Sequence, residues 1–329
     1  MRPLPSLAGL AAAVVLIVSA SAAPAAADDG SGFTLKDPRI TESSGLAASR
    51  AHPGIYWTHN DQDKPRVFAV DSETGETVAT ITLRGVGTPR DMEAISVGAD
   101  GHVYVGDIGD NLDGGWDHVW IYRFPEPERL RDQTVDATQF DVEYADGPRN
   151  AEAMMVHPVT GRVYIASKNE DGGGLYEGPE KLTAKGTNVF RRIGEVPWVT
   201  DGAFSPDGGE LTLRSYFSAR AWVWENGRLG ADRRVRAPIQ GQSESVTYTP
   251  DGKTLLFGTE GEQSEVVAVE VAPREDGGGG AGGGTDAGSG AGAGKTAGEE
   301  GEGRLTTYGL LVLGGGALLV FALRRRRGA

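Results

Sequence analysis

The chain contains no cysteine and only five histidines. The first absence rules out disulfides, thiolate metal sites and a cysteine nucleophile. The second disfavours zinc, and neither an H-E-x-x-H helix nor a G-x-S-x-G elbow occurs. Positive charge is scarce as well. Thirty-two Lys and Arg against 46 Asp and Glu give a formal charge of −14, which argues against nucleic acid as a partner and favours cations or basic surfaces. No helical periodicity runs through the middle of the chain, and long apolar stretches are confined to its two ends.

Those ends predict export and anchoring. Residues 1–27 carry a basic Arg2, an apolar core around Leu10 to Val18 and a small-residue Ala25-x-Ala27 cleavage signature, the pattern of a signal peptide. Residues 305–323 are uncharged and long enough for a transmembrane helix, and residues 324–329 follow as a basic cytoplasmic tail with four arginines. Residues 274–304 are nearly all Gly, Ala, Ser, Thr and acidic residues, a disordered linker with a reach of roughly 30 Å. No L-P-x-T-G motif precedes the anchor. One extracytoplasmic domain remains, residues 28–273, expected at the cell membrane on a single-pass anchor.

Within it, five segments share one grammar: SGLAASRAHPGIYWTHND from Ser44, EAISVGADGHVYVGDIGDN from Glu93, EAMMVHPVTGRVYIASKNE from Glu152, DGAFSPDGGELTLRSYF from Asp201 and ESVTYTPDGKTLLFGTEGE from Glu244. Each is a polar opener, a short apolar strand, a turn ending in Gly54, Gly101, Gly161, Gly208 or Gly252, and a second strand with a polar end. A third strand follows every hairpin, and a fourth follows the first four, for instance TVATITL from Thr77 and RRVRAPI from Arg233. The fifth unit lacks its fourth strand, and GFTLKD from Gly32 is positioned to supply it. Four-stranded units repeating in this way predict an all-β domain, a β-propeller with five blades, or six if one repeat is miscounted. A sandwich would lack so regular a repeat.

The turn-and-strand segments SPDGGELTL and TPDGKTLLF resemble the core of TolB-type and WD-like propeller repeats, over nearly all of residues 40 to 272. The domain as a whole resembles exported propeller proteins of actinobacteria. It lacks the regular Trp-Asp blade ending of WD repeats, so their scaffold function is not implied.

In a propeller the first strand of each blade lines the central channel, which puts the openers Ser44, Glu93, Glu152, Asp201 and Glu244 in equivalent places. Two residues earlier, on the same side of an extended chain, stand Glu42, Asp91, Asn150, Val199 and Gln242. The second strands return to the same rim and bring His59, Asp61, Asp107, Asp110, Asn111, Lys168, Glu170, Arg214 and Glu260. So many carboxylates cannot all stay ionised unaided, and a hard divalent cation removes the conflict. Calcium, with six to eight oxygen ligands in flexible geometry, suits the five openers as a metal set. The alternative is structural: the same acids could bind backbone amides in every blade.

The pattern of Ser44 with Glu93, Glu152 and Glu244 is similar to that of calcium-activated nucleotidases of the apyrase type, and a cationic rim also resembles β-propeller phytases. That resemblance implies calcium on the axis and phosphoester hydrolysis, with Lys168 and Arg214 holding phosphate and His59 a candidate base. The leading expectation is a monomeric, membrane-tethered propeller whose acidic face binds calcium and a small molecule or an envelope partner. A metal-dependent phosphohydrolase and a metal-free structural protein of the envelope are the alternatives.

Overall fold

The computed structural model describes residues 31–112, 114–169 and 171–272. The predicted signal peptide, linker, membrane span and tail, together with Glu170, lie outside the described residues. Among those residues the chain is all strand and turn, with no helix that could cross a membrane.

A short strand, β1 (Phe33–Thr34), comes first. The first blade is β2 (Ser43–Ala48), β3 (Ile55–Asn60), β4 (Arg66–Asp71) and β5 (Thr77–Arg84). The second is β6 (Met92–Val97), β7 (His102–Asp107), β8 (Val119–Pro125) and, after a four-residue β9 (Gln133–Asp136), β10 (Thr138–Tyr144). The third is β11 (Ala151–Val156), β12 (Val163–Ser167), β13 (Gly173–Glu177) and β14 (Asn188–Val196), and the fourth β15 (Asp201–Phe204), β16 (Glu210–Arg214), β17 (Ala219–Glu225) and β18 (Arg228–Val235). The fifth, β19 (Ser243–Tyr248), β20 (Thr254–Thr259) and β21 (Glu265–Glu270), takes β1 as its outer strand through the antiparallel pair Phe33 with Val266.

Tight hairpins make this order possible. Gly54, Gly101, Gly161, Gly208 and Gly252 all have φ between 70° and 77°, a left-handed conformation that costs glycine nothing. In the two Pro-Asp-Gly turns the aspartate caps the reversal: Asp207 accepts from the Gly209 amide and Asp251 from that of Lys253, each at 3.0 Å.

The inner strands β2, β6, β11, β15 and β19 each pack against two others, and β19 returns to β2, so the ring closes on five blades. Apolar side chains fill the gaps between blades. Trp57, Val67 and Ile81 of the first meet Val105, Tyr122 and Phe124 of the second, while Phe33 and Leu35 join Tyr56, Phe68 and Leu256 where the last blade meets the first. Closure and core both lie within residues 31–272, so this segment holds what it needs to fold alone.

Two details depart from expectation. The outer strand of the fourth blade is Arg228–Val235, starting before the predicted Arg233. The second blade also reaches both neighbours: β9 pairs parallel with β5 (Ile81 with Gln133), and β10 pairs parallel with β14 (Val142 with Asn188). The three blades are thereby linked along their outer strands.

Candidate metal centre

The ladder between first and second strands slips in four of the five blades, at the same place. Pairing passes from Met92 with Asp107 to Ala94 with Gly106, from Ala151 with Ser167 to Ala153 with Ala166, and from Ser243 with Thr259 to Ser245 with Gly258. The residues left over are Glu93, Glu152 and Glu244. In the first blade the slip falls between Ser43 and Leu46 and includes Ser44. A β-bulge frees a side chain from the regular alternation and re-aims it. Here it turns the openers toward the channel.

The fourth blade has no bulge, and this corrects one assignment. Asp201 pairs regularly with Arg214. Counted back from the turns, Asp201 stands four residues before Ser205 as Ser245 stands four before Thr249, so its counterpart is Ser245 and Thr200 occupies the opener position. A one-residue slip reverses the face of a strand. The Asp201 carboxylate accordingly accepts the Val246 amide at 2.8 Å, tying β15 to β19, and is no metal ligand. The same offset puts Trp198, not Val199, in the upper tier. Trp198 meets Tyr216 edge-on at 5.2 Å, and the adjacent Phe217 is 65% exposed, so this sector of the face is aromatic.

The charges form two adjoining groups that act on each other. Carboxylate oxygens of Asp61, Asp91 and Glu93 lie within 4.8 Å of one another. Asp91 accepts from the Asn111 amide at 2.9 Å and more weakly from Gln62 at 3.5 Å. Glu93 is 6% exposed and has no hydrogen-bond donor among the described residues. Burial pushes all three up, with the charge of Glu152 adding to it at Asp91 and Glu93: Asp91 stands at about 7, Asp61, which also shares a hydrogen bond with the half-buried Glu42, at about 8, and Glu93 well above the usual carboxylate range.

In the second group Lys168 Nζ lies 3.0 Å from a Glu152 oxygen and donates to the Tyr216 hydroxyl at 3.0 Å. Burial works against the ammonium, but the charges of Glu152, Glu244 and Glu93 hold it firmly protonated. Glu244, buried beside Tyr216, is pushed up to about 8 by desolvation and the nearby Glu152. Asn150 bridges the two groups, with its amide 3.4 Å from Asn111 Oδ1 and 3.5 Å from a Glu152 oxygen.

Several other candidates serve the fold instead. Asp107 accepts the Arg90 and Asp91 amides and the Tyr122 hydroxyl at 2.5–3.1 Å, so it holds the Asp91 backbone rather than a ligand. Asp110 accepts the Leu112 and Trp116 amides and closes its own loop. Arg214 is fully buried and donates to the carbonyls of Ser245 and Gly258 and to Gln240, which removes it from any phosphate. It replaces the small residues Gly106, Ala166 and Gly258 at this register position, as His59 does in the first blade. His59 is wholly buried, and desolvation lowers it to about 4, so it is no rim base. Ser44 is buried and donates to the Glu42 carbonyl at 3.3 Å. Glu260 lies half-buried at the rim, held by Gln242 at 2.6 Å.

Gly109 is a functional position that residue chemistry does not flag. A Cβ there would stand 2.6 Å from an Asp91 oxygen and 2.7 Å from Glu93 Cγ, so the glycine lets the backbone lie directly against the two acids.

No known family and no curated protein matches the sequence. Among solved structures the chain is similar to a gluconolactonase of Xanthomonas campestris (14% identity, TM-score 0.47, covering 73% of this chain and 89% of that one). It is also similar to a glucose dehydrogenase (11%, 0.45, 74% and 100%) and to U3-55K (11%, 0.40, 72% and 98%). Such distant likenesses carry no argument about activity, and the propeller is read from its own strand order.

Proposed function

We propose that this protein is a membrane-tethered, extracytoplasmic β-propeller whose acidic axial face binds a calcium ion and presents a surface to a small molecule or an envelope partner. One observation carries the metal: Glu93, nearly all buried and without a hydrogen-bond donor among the described residues, shares a 4.8 Å cluster with Asp61 and Asp91. Acids in that state need a countercharge. The ligand atoms are all hard carboxylate oxygens, which suit calcium in its flexible geometry better than magnesium in its strict octahedron. The signal sequence and apolar C-terminal segment support the tether.

The phosphoester reading is weaker, because Arg214 is committed to backbone carbonyls and Lys168 to Glu152 and Tyr216. The test is thermal melting of residues 28–273 with calcium and with EDTA. Calcium at about 100 times its Kd stabilises by about 2.7 kcal/mol, and Glu93→Gln removes that gain. Equal melting temperatures in calcium and EDTA would end the metal assignment.

A further inference from the structure

The four bulge residues Ser44, Glu93, Glu152 and Glu244, symmetric in the ring, would offer a cation a place on the axis. Lys168 breaks that symmetry. Its ammonium reaches the channel from the end of the third blade's second strand, 3.0 Å from Glu152, with its side chain only 16% exposed. Tyr216, from the fourth blade's aromatic sector, takes one of its hydrogen bonds and offers its ring 5.1 Å from Nζ. The charges of Glu244 and Glu93 also act on this ammonium, after that of Glu152. Glu93, on the side of Asp61 and Asp91, has no hydrogen-bond donor among the described residues.

We propose that Lys168 is a resident cation that takes the place of a metal ion among the bulge carboxylates, limiting the protein to one divalent ion held off the axis by Asp61, Asp91 and Glu93. This rests on the metal reading above and adds to it the number and position of ions. A fixed ammonium and a divalent ion a few ångströms apart repel strongly in a water-poor channel, so the two cannot share Glu152 and Glu244. Removing the ammonium leaves these buried carboxylates without their cation, a site of the same hard-oxygen chemistry.

The experiment is metal content per chain, by mass spectrometry on residues 28–273 equilibrated with calcium and passed through a desalting column, with calorimetric titration as a second readout. One ion is expected for the natural protein and for Lys168→Arg, and two for Lys168→Met. Lys168→Met with Glu93→Gln should keep one ion, now between Glu152 and Glu244. Should Lys168→Met fold poorly, Lys168→Gln, which keeps a polar head beside Glu152 and Tyr216 without the charge, is expected to bind two ions, and one ion in it would overturn the proposal. One ion in Lys168→Met and none in its Glu93→Gln double variant would overturn the proposal. No ion in the natural protein but one in Lys168→Met would reject the off-axis site while upholding the displacement of metal by lysine.

Discussion

Without metal, the channel should make the protein less stable as pH rises through neutrality, the reverse of ordinary acid denaturation. The folded pKa of Asp91 stands at about 7 against 3.8 for the free side chain. Between those values the folded state binds a proton that the unfolded state has lost, so the slope of stability with pH is negative. The contribution is fully present below about pH 4 and is lost by the time pH passes the folded value. From pH 5 to 8.5 the two units that separate pH 5 from the folded value, at about 1.36 kcal/mol each, give a loss of about 2.7 kcal/mol from Asp91. Asp61 and Glu93 share the same repulsion, and protonating one relieves the others, so the cluster contributes about as much as one carboxylate rather than three. For a domain of this size 1 kcal/mol moves the melting temperature by about 2–4 °C, which puts the fall near 8 °C. The assay is melting of residues 28–273 by circular dichroism at pH 5 and pH 8.5 in EDTA, repeated in calcium. With calcium bound the fall should vanish, and binding near pH 6.5 should release protons, because the metal takes ionised ligands. A melting temperature that is level or higher at pH 8.5 in EDTA would refute the placement of these acids in one buried cluster.

Three substitutions separate the metal centre from its scaffold. Gly109→Ala should abolish calcium binding while leaving the EDTA melting temperature within a few degrees, since the new methyl displaces the Asp91 and Glu93 carboxylates; titration calorimetry reads it. Asp107→Ala strips acceptors from two amides and a tyrosine hydroxyl, and should lower stability by about 3 kcal/mol in urea unfolding whether or not calcium is present. Asp201→Ala should cost about 1–3 kcal/mol by orphaning the Val246 amide and leave metal content unchanged.

The architecture was legible in sequence because hairpins advertise themselves. A turn glycine between two apolar runs has few other uses, and five of them at similar spacing left one economical arrangement. The closing strand was legible for the same reason, as a gap in the fifth unit and a spare strand near Phe33. Bulges leave no such mark. Polar character alone groups Asp201 with Glu93, Glu152 and Glu244. The usable signal was the distance to the turn: seven residues from Asp201 to Gly208, but eight from Glu93 to Gly101 and from Glu244 to Gly252. For Arg214 and His59 composition misled, since a polar residue at a strand end reads as rim, whereas the register position they fill is buried and elsewhere taken by Gly or Ala. Asp107 and Asp110 were likewise chemically suitable for metal, and only their amide partners show that they are occupied. Strand β9 was missed because four residues of mixed character, Gln133 to Asp136, pair with a neighbouring blade and not with their own.

The outer-strand links have a mechanical consequence. A propeller held only by side-chain packing between blades can yield at any of its five seams. Here the first-to-second and second-to-third seams carry strand pairing at the periphery as well, and the fifth-to-first seam is tied by the Lys36 amide donating to the Gly75 carbonyl at 2.9 Å. The first three blades should therefore move as one stiff arc, with the fifth tied to the first, and compliance should collect around the fourth blade. Asp61, Asp91, Glu93, Glu152 and Lys168 all ride on the stiff arc, so their spacing survives breathing of the ring. Trp198, Tyr216 and Phe217 ride on the fourth. The molecule is built like a vice, with a fixed jaw that carries the charges and a moving jaw faced with aromatic rings.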